Sequence, residues 1–499
     1  MRHSTEKTLI HIPSLLDETT CMQNLSQNLS YHYPESQTTR LARSLTQHMR
    51  ENRQNAGGID AFMNQYDLSN DEGIALMCLA EALLRVPDSK TADDLIQDKL
   101  SNAQWQNHLG SSHSSFVNAA SWGLMIGTHC IQRPDHEASH YQKLFQNLLS
   151  KNSKPIIRKA ILHAMKIIGE QFVMGQDIKA AIKRSQKKAL KNFRYSFDML
   201  GEAAVCQEDV DRYMSAYQEA IAALSHQKKT TLESASSISI KLSALHPKLN
   251  ILQLEDIKTT LYSRLLTLCK QAAKGGIALT IDAEEVFRLE TSLILFDKLA
   301  QEPDLANWNG LGLAIQAYLR AAPKVIETII AIAQKTKRRI PVRLVKGAYW
   351  DSEIKYAQQH GLETYPVYTK KLHTDISYLA CAKMLWDNKT WIYPQFATHN
   401  TQTIASILTL TQNSPDFEFQ CLHGMGETLY NHILEQFPKT NCRIYAPVGR
   451  HKALLAYLVR RLLENGANTS FINRIANDNL PIEQLIASPL LTLQAEKIS

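Results

Sequence analysis

The sequence has no stretch approaching the roughly 18 uninterrupted apolar residues that a membrane-spanning helix needs, so none is expected. Its first twenty residues carry Glu6, Asp17 and Glu18 and lack an apolar core followed by a small-residue cleavage site, which argues against a secretory signal. No Cys-x-x-Cys occurs. The eight cysteines (Cys21, Cys78, Cys130, Cys206, Cys269, Cys381, Cys421 and Cys442) are scattered, mostly in apolar runs, as buried reduced thiols of a cytoplasmic protein would be. A Gly-x-x-x-x-Gly-Lys-Ser/Thr phosphate loop is missing. Gly310-Leu311-Gly312 is followed by Ile315 where a dinucleotide-binding loop has its third glycine, which disfavours a Rossmann NAD site. His246, His373, His399 and His423 lie too far apart for a metal-ligand spacing, so no metal is expected. His423-Gly-Met-Gly has no accompanying Gly-x-Ser-x-Gly, so a serine hydrolase is not supported. Charge of one sign is also weak. Lys and Arg number 55 against 48 Asp and Glu, a net +7 over 499 residues, which by itself does not indicate nucleic-acid binding. The basic run from Lys179 to Lys191 meets no aromatic before Phe193 and reads as a solvated helix face.

What is present is a globular composition, with 44% apolar and 21% charged residues. Two textures follow one another. Residues 1–52, polar at first, read as a helical arm that is either solvated or partly disordered. Residues 53–190 read as all helix, with apolar spacing in Asp71–Leu84, Phe116–Met125, Tyr141–Leu149 and Pro155–Gly169. From 191 to 475, short β-type runs alternate with longer helical ones, and 476–499 forms a tail. The β-type runs are Phe193–Phe197, Ser237–Lys241, Ala278–Asp282, Gly312–Gln316, Val342–Lys346, Gln395–Thr398, Phe417–Leu422 and Cys442–Ala446. Helical segments such as Val210–Leu224, Pro323–Thr336 and Leu454–Glu464 separate them. Eight β–α units over about 280 residues predict an α/β protein, a parallel (β/α)8 barrel of the TIM type, behind an all-helical N-terminal region. An open doubly wound sheet is the rival.

Strand side chains alternate between faces. Ile238 and Ile240 oppose Ser239 and Lys241; Leu279 and Ile281 oppose Thr280 and Asp282; Leu313 and Ile315 oppose Ala314 and Gln316. Leu344 opposes Arg343 and Val345, and Ile444 opposes Arg443 and Tyr445. The aliphatic face belongs under the helices. The other face then looks into the barrel and is small and polar, where an ordinary barrel holds Val, Ile and Leu. Lys241, Asp282, Gln316 and Tyr445 fall at C-terminal strand ends, where barrel active sites are built. Unpaired charges there cost several kcal/mol, so they pair with one another, Lys241 with Asp282 for instance, or meet a ligand. Arg460 and Arg461, inside the helical LLAYLVRRLLE with Glu464 one turn on, combine with Lys241 into a receptor suited to a carboxylate.

The motifs ISIKLSALHP from Ile238, IDAEE from Ile281, IQAY from Ile315, RLVKGAYWD from Arg343, FATHN from Phe396, QCLHGMGE from Gln420, RIYAPVG from Arg443 and LVRRLLENGANTSF from Leu458 occur in this order. Together they resemble the proline dehydrogenase region of the bifunctional flavoenzymes of proline utilization. The likeness extends upstream through ALMCLAEALLRVPD and FVNAASWGL. The resemblance implies FAD-dependent oxidation of L-proline to Δ1-pyrroline-5-carboxylate, the first step of proline catabolism to glutamate. It implies that Lys241, Arg460 and Arg461 hold the substrate carboxylate, and that Asp282 and Arg343 are the active-site acid and the arginine beside the flavin. Tyr349, Leu422 and Tyr445 would pack on the proline ring. Ala283, Gln316, Arg343, Val345, Lys346, Gly347, Ala348, Tyr349, Trp350, Thr398, His399, Leu422 and Glu464 would line the flavin; a structural role for His399 is the alternative. The resemblance further implies a quinone acceptor reached by peripheral contact with the inner face of the membrane, although no amphipathic anchor stands out. A homo-oligomer through the helical first part is open. Bifunctional members continue into an aldehyde dehydrogenase domain, expected downstream if this chain is a fragment of one. Some begin with a ribbon-helix-helix DNA-binding segment; the start of this chain shows no such pattern, so nucleic acid is not expected as a partner. Two other functions fit parts of the pattern: a Schiff-base aldolase with Lys241 as nucleophile beside Asp282, and a non-catalytic scaffold or DNA-binding module using the helical first third.

Overall fold

The computed structural model describes residues 17–30, 35–52, 91, 173–187, 190, 192–227, 231–249, 254–449, 474–475 and 479–496. The predicted helices at 71–84, 116–125, 141–149, 155–169 and 454–464 lie outside these residues, as do Cys78 and Cys130.

Eight strands close into an all-parallel barrel in sequence order: β1 Arg194–Met199, β2 Ser237–Ile240, β3 Leu279–Ile281, β4 Leu311–Gln316, β5 Ile340–Val345, β6 Ile392–Ala397, β7 Glu418–Leu422 and β8 Cys442–Val448. All eight predicted runs are strands, with ends moved by at most three residues, and the open-sheet rival falls because β8 pairs back onto β1. The predicted face alternation holds. Phe197, Ile238, Ile240, Leu279, Ile281, Leu344, Phe396, Phe419 and Ile444 are all completely buried in the layer between strands and helices. Burying one such side chain stabilises the fold by about 1.5–3 kcal/mol, so this shell is the main cohesive term of the barrel.

The opposite face fills the barrel axis with polar groups. At the N-terminal end Arg443 and Glu418 form a buried pair, Nε to Oε1 at 2.6 Å. Arg194, Gln395 and Gln420 donate to the same carboxylate. Arg443 also donates to the carbonyls of Tyr195, Ala235 and Glu233. This floor satisfies its buried carboxylate internally and leaves the opposite mouth for chemistry.

The arm does not stand free in solvent. Its described part is two helices, α1 Glu18–Ser30 and α2 Glu35–Glu51. Met22, Leu25 and Leu29, on one helical face, pack with Tyr368, Ile376 and Leu379 and with Leu490 and Leu493 of the tail. Ala42 of α2 joins Ala405, Ile475, Leu485 and Ile486, and Thr46 Oγ1 lies 2.6 Å from Thr401 Oγ1. Polar residues interleave with these apolar positions, which hides the docking face from a composition count. Of the six cysteines in the described residues, Cys269, Cys381, Cys421 and Cys442 are buried free thiols, Cys21 is partly exposed and Cys206 is exposed. Among the described residues no helix is long and apolar enough to cross a membrane.

Candidate active site

The mouth of the barrel brings together four of the five inward residues singled out from strand alternation. Arg343 comes from β5, Asp282 and Lys241 from the first positions after β3 and β2, and Tyr445 from β8. Arg343 Nη1 donates to Asp282 Oδ1 at 2.5 Å, and Tyr445 Oη donates to Asp282 Oδ2 at 2.7 Å. The Arg343 guanidinium carbon sits 5.0 Å from the Tyr445 ring centroid. Its remaining donors reach Gln420 Oε1 at 2.7 Å, Ser239 Oγ at 2.8 Å and Ser196 Oγ at 3.2 Å. The fifth, Gln316, ends β4 beside them: its Nε2 donates to the Glu284 carbonyl at 2.9 Å and its Oε1 accepts from Ala348 N at 3.4 Å.

The expected Lys241–Asp282 pair is present but secondary. Lys241 Nζ lies 3.5 Å from Asp282 Oδ2 and donates to Asp198 Oδ1 at 2.6 Å. Asp198 was missed because the first β-type run was ended at Phe197, one residue short of it. Extending the alternation from Ser196 by one step would have placed Asp198 on the inner face. Burial alone would drive the Lys241 amine toward neutrality; Asp198, Tyr445 and Asp282 outweigh it and hold the pKa well above the ordinary lysine value. The carboxylates of Asp198 and Asp282 beside Nζ favour the protonated amine, which is not the nucleophilic form a Schiff base needs. The same protonated amine suits an anion. By formal charge Lys241 and Arg343 face Asp198 and Asp282, although burial raises the Asp198 pKa against the pull of Lys241; such paired charges suit a ligand carrying both signs.

Around this buried cluster runs a half-buried rim of Ala283, Val345–Tyr349, Leu422 and Tyr445, with Trp350 exposed. Gly347 adopts φ +141°, and a Cβ there would come within 2.4 Å of the Tyr318 ring, so only glycine lets the backbone follow this course. Lys346 and Lys371 both pair with the single carboxylate of Asp375, leaving one positive charge in excess at the rim. A half-buried rim, a backbone course that only glycine can follow and two lysines sharing one carboxylate fit an aromatic cofactor bearing phosphate. Thr398 Oγ1 accepts from Asn400 N at 3.1 Å, and Asn400 caps the next helix by accepting from Thr403 N at 2.9 Å. Nε2 of His399 accepts from Leu422 N at 3.2 Å, so its ring serves at least one structural bond. Arg460, Arg461 and Glu464 lie outside the described residues.

Comparison with known proteins agrees with this architecture. The family model for proline dehydrogenase matches residues 181–474. That for the DNA-binding domain of proline dehydrogenase matches residues 58–172. The bifunctional protein PutA of Klebsiella aerogenes is 48% identical over 494 residues, which cover 97% of this chain and 37% of that protein. The PutA of Escherichia coli K12 is 49% identical over 470 residues, 92% and 35%. Proline dehydrogenase 1 of Bacillus subtilis is 25% identical over 328 residues, 65% of this chain and 95% of its own length. A crystal structure of Bradyrhizobium japonicum proline utilization A superimposes with a TM-score of 0.74 at 40% identity, covering 97% of this chain and 48% of that one. The chain thus spans about a third to a half of the length of these bifunctional relatives. The second match overturns the expectation that nucleic acid is no partner. That expectation rested on mild net charge and on the very start of the chain, whereas the matched segment begins at residue 58, in what read only as plain helices. With its barrel matched from end to end, the chain belongs to the proline dehydrogenase family.

Proposed function

We propose that this chain oxidises L-proline to Δ1-pyrroline-5-carboxylate with FAD, the first step of proline breakdown to glutamate. The observation that carries the reading is the cluster of Lys241 and Arg343 against Asp198 and Asp282 at the mouth of a barrel that the proline dehydrogenase family matches throughout. Lys241, with Arg460 and Arg461, grips the proline carboxylate; an ammonium offers three donors and only one is committed to Asp198 at short range. Tyr445, held by Asp282, walls the ring together with Tyr349 and Leu422. Anchoring the carboxylate at one end fixes how far the ring carbon beside nitrogen stands from the oxidant. Bound FAD supplies the acceptor for the hydride, at its N5. Arg343 and Asp282 are the catalytic pair: the arginine sets positive charge beside the flavin, and the aspartate, which accepts from Arg343 and Tyr445, orients cations rather than taking a proton. Ala283, Gln316, Val345, Lys346, Gly347, Ala348, Trp350, Thr398, His399, Leu422 and Glu464 hold the cofactor. The electron acceptor we assign is a quinone met at a membrane surface, on the strength of family resemblance.

The purified chain should be yellow, and its visible flavin band should bleach when L-proline is added without oxygen. A colourless protein that FAD cannot reconstitute would end this reading. A second activity is favoured by the match over residues 58–172: DNA contact by that segment. The full chain should be retained on duplex DNA at low ionic strength and released as salt rises, since phosphate contacts expel counterions. Retention that ignores salt, or none at all, would remove it.

A further inference from the structure

Glu284 lies two residues beyond Asp282, and Ser243 two residues beyond Lys241. Their side chains meet. The Ser243 hydroxyl donates to Glu284 Oε1 through a short hydrogen bond, and Ser243 N donates to Oε2 at 3.1 Å. Arg288 Nη1 donates to the same Oε1 at 2.7 Å, so that oxygen takes both the serine and the arginine. The serine extends the tie to a third loop, because its hydroxyl accepts from Ala203 N at 3.0 Å and its carbonyl from Ala204 N at 2.8 Å. The Glu284 carbonyl reaches a fourth strand through Gln316. One buried carboxylate therefore joins the segments that follow β1, β2 and β3. Two of them carry Lys241 and Asp282, and neither residue touches Glu284 itself. Lys241 stands at the start of the short helix Leu242–Leu245 that contains Ser243, so any shift of that helix moves the ammonium.

We propose that Glu284 is a positioning residue: by holding Ser243 it fixes the height of Lys241 against Asp282 and so sets how tightly the mouth binds the substrate carboxylate. The inference rests on the proline-oxidising reading above. Glu284→Gln keeps the volume but turns one acceptor into a donor facing other donors. Loss of one charge-assisted hydrogen bond should raise KM for L-proline about tenfold, while kcat stays within about threefold because the group acts on binding rather than on the reacting atoms. Ser243→Ala leaves Glu284 bound to Arg288 and should raise KM about threefold. The double variant should be no worse than Glu284→Gln alone, the signature of two residues acting as one device. A purely structural role predicts a lower thermal midpoint with KM unmoved, and that result would overturn the inference. If Glu284→Gln does not fold, Ser243→Ala decides: an unchanged KM sinks the proposal. An inactive wild type sinks the proline reading and this inference with it; an active wild type with insensitive variants sinks the inference alone.

Discussion

Arg343→Met is expected to cut proline-dependent flavin bleaching roughly a hundredfold or more and to lower the thermal midpoint with it. Arg343 is almost fully buried and spends its donors on Asp282, Gln420, Ser239 and Ser196. Methionine fills similar space but offers no donor and no charge. Among the described residues Asp282 then keeps Tyr445 and Lys241. Breaking a buried ion pair by removing one partner costs about 3–5 kcal/mol, chiefly because the survivor remains buried and uncompensated. The cluster would lose one of its positive charges beside Asp282, which makes the site less favourable for a substrate carboxylate. Asp282 would also draw the Lys241 ammonium toward itself, taking the donor that the carboxylate needs. Both effects act on kcat/KM in the same direction. Arg343→Lys should fall between wild type and Arg343→Met, since it restores the charge but not the planar fork that reaches four acceptors at once. Activity within threefold of wild type in Arg343→Met would remove Arg343 from the catalytic machinery.

The site was legible where chemistry followed the period of the strand. Ser239, Lys241, Asp282, Gln316, Arg343 and Tyr445 each stand next to an aliphatic residue of the opposite face, so alternation alone turned them inward. Asp198 was lost only to a boundary, since its strand runs to Met199. Glu418 and Arg443 failed for another reason: their pairing is set by the register of β7 against β8, in which Gln420 lies beside Arg443, and register is a property of two strands that one strand cannot announce. Glu284 lies in a loop, where no periodicity exists to read. The arm docks through apolar residues at helical spacing, Met22, Leu25 and Leu29, too few for a composition count to register but enough to bury one face. The nucleic-acid expectation failed because net charge averages over the whole chain, while the matched segment occupies only residues 58–172.

Arg443→Met is expected to be the most destabilising single change in the barrel, with little direct chemistry lost. Glu418 is fully buried at the start of β7 and takes Arg443 Nε at 2.6 Å and Nη2 at 3.0 Å. Removing the guanidinium takes from that carboxylate its nearest cation, leaving it Arg194, Gln395 and Gln420, and takes a donor from three main-chain carbonyls, at a cost of about 3–5 kcal/mol. At about 2–4 °C per kcal/mol for a domain of this size, the thermal midpoint should drop on the order of 10 °C. Acid should erase the difference. Burial pushes the Glu418 pKa up, but Arg443, its hydrogen bonds and Arg194 outweigh this and hold it below the ordinary glutamate value. A group whose folded pKa is depressed stabilises the fold above its unfolded pKa, about 4.3, and loses that contribution as pH falls through the folded value. The gap between wild type and Arg443→Met should therefore be widest above about pH 5 and shrink below about pH 4. Glu418→Gln offers the complementary case. It removes the titrating group, so its own acid dependence should be flatter than wild type. It also disturbs the mouth at one remove, since Gln420 Nε2 donates to Glu418 at 3.0 Å and so turns its Oε1 toward Arg343. Denaturation midpoints across pH would separate these outcomes, and a gap that stays constant into acid would show that the Glu418 charge does not hold the floor of the barrel.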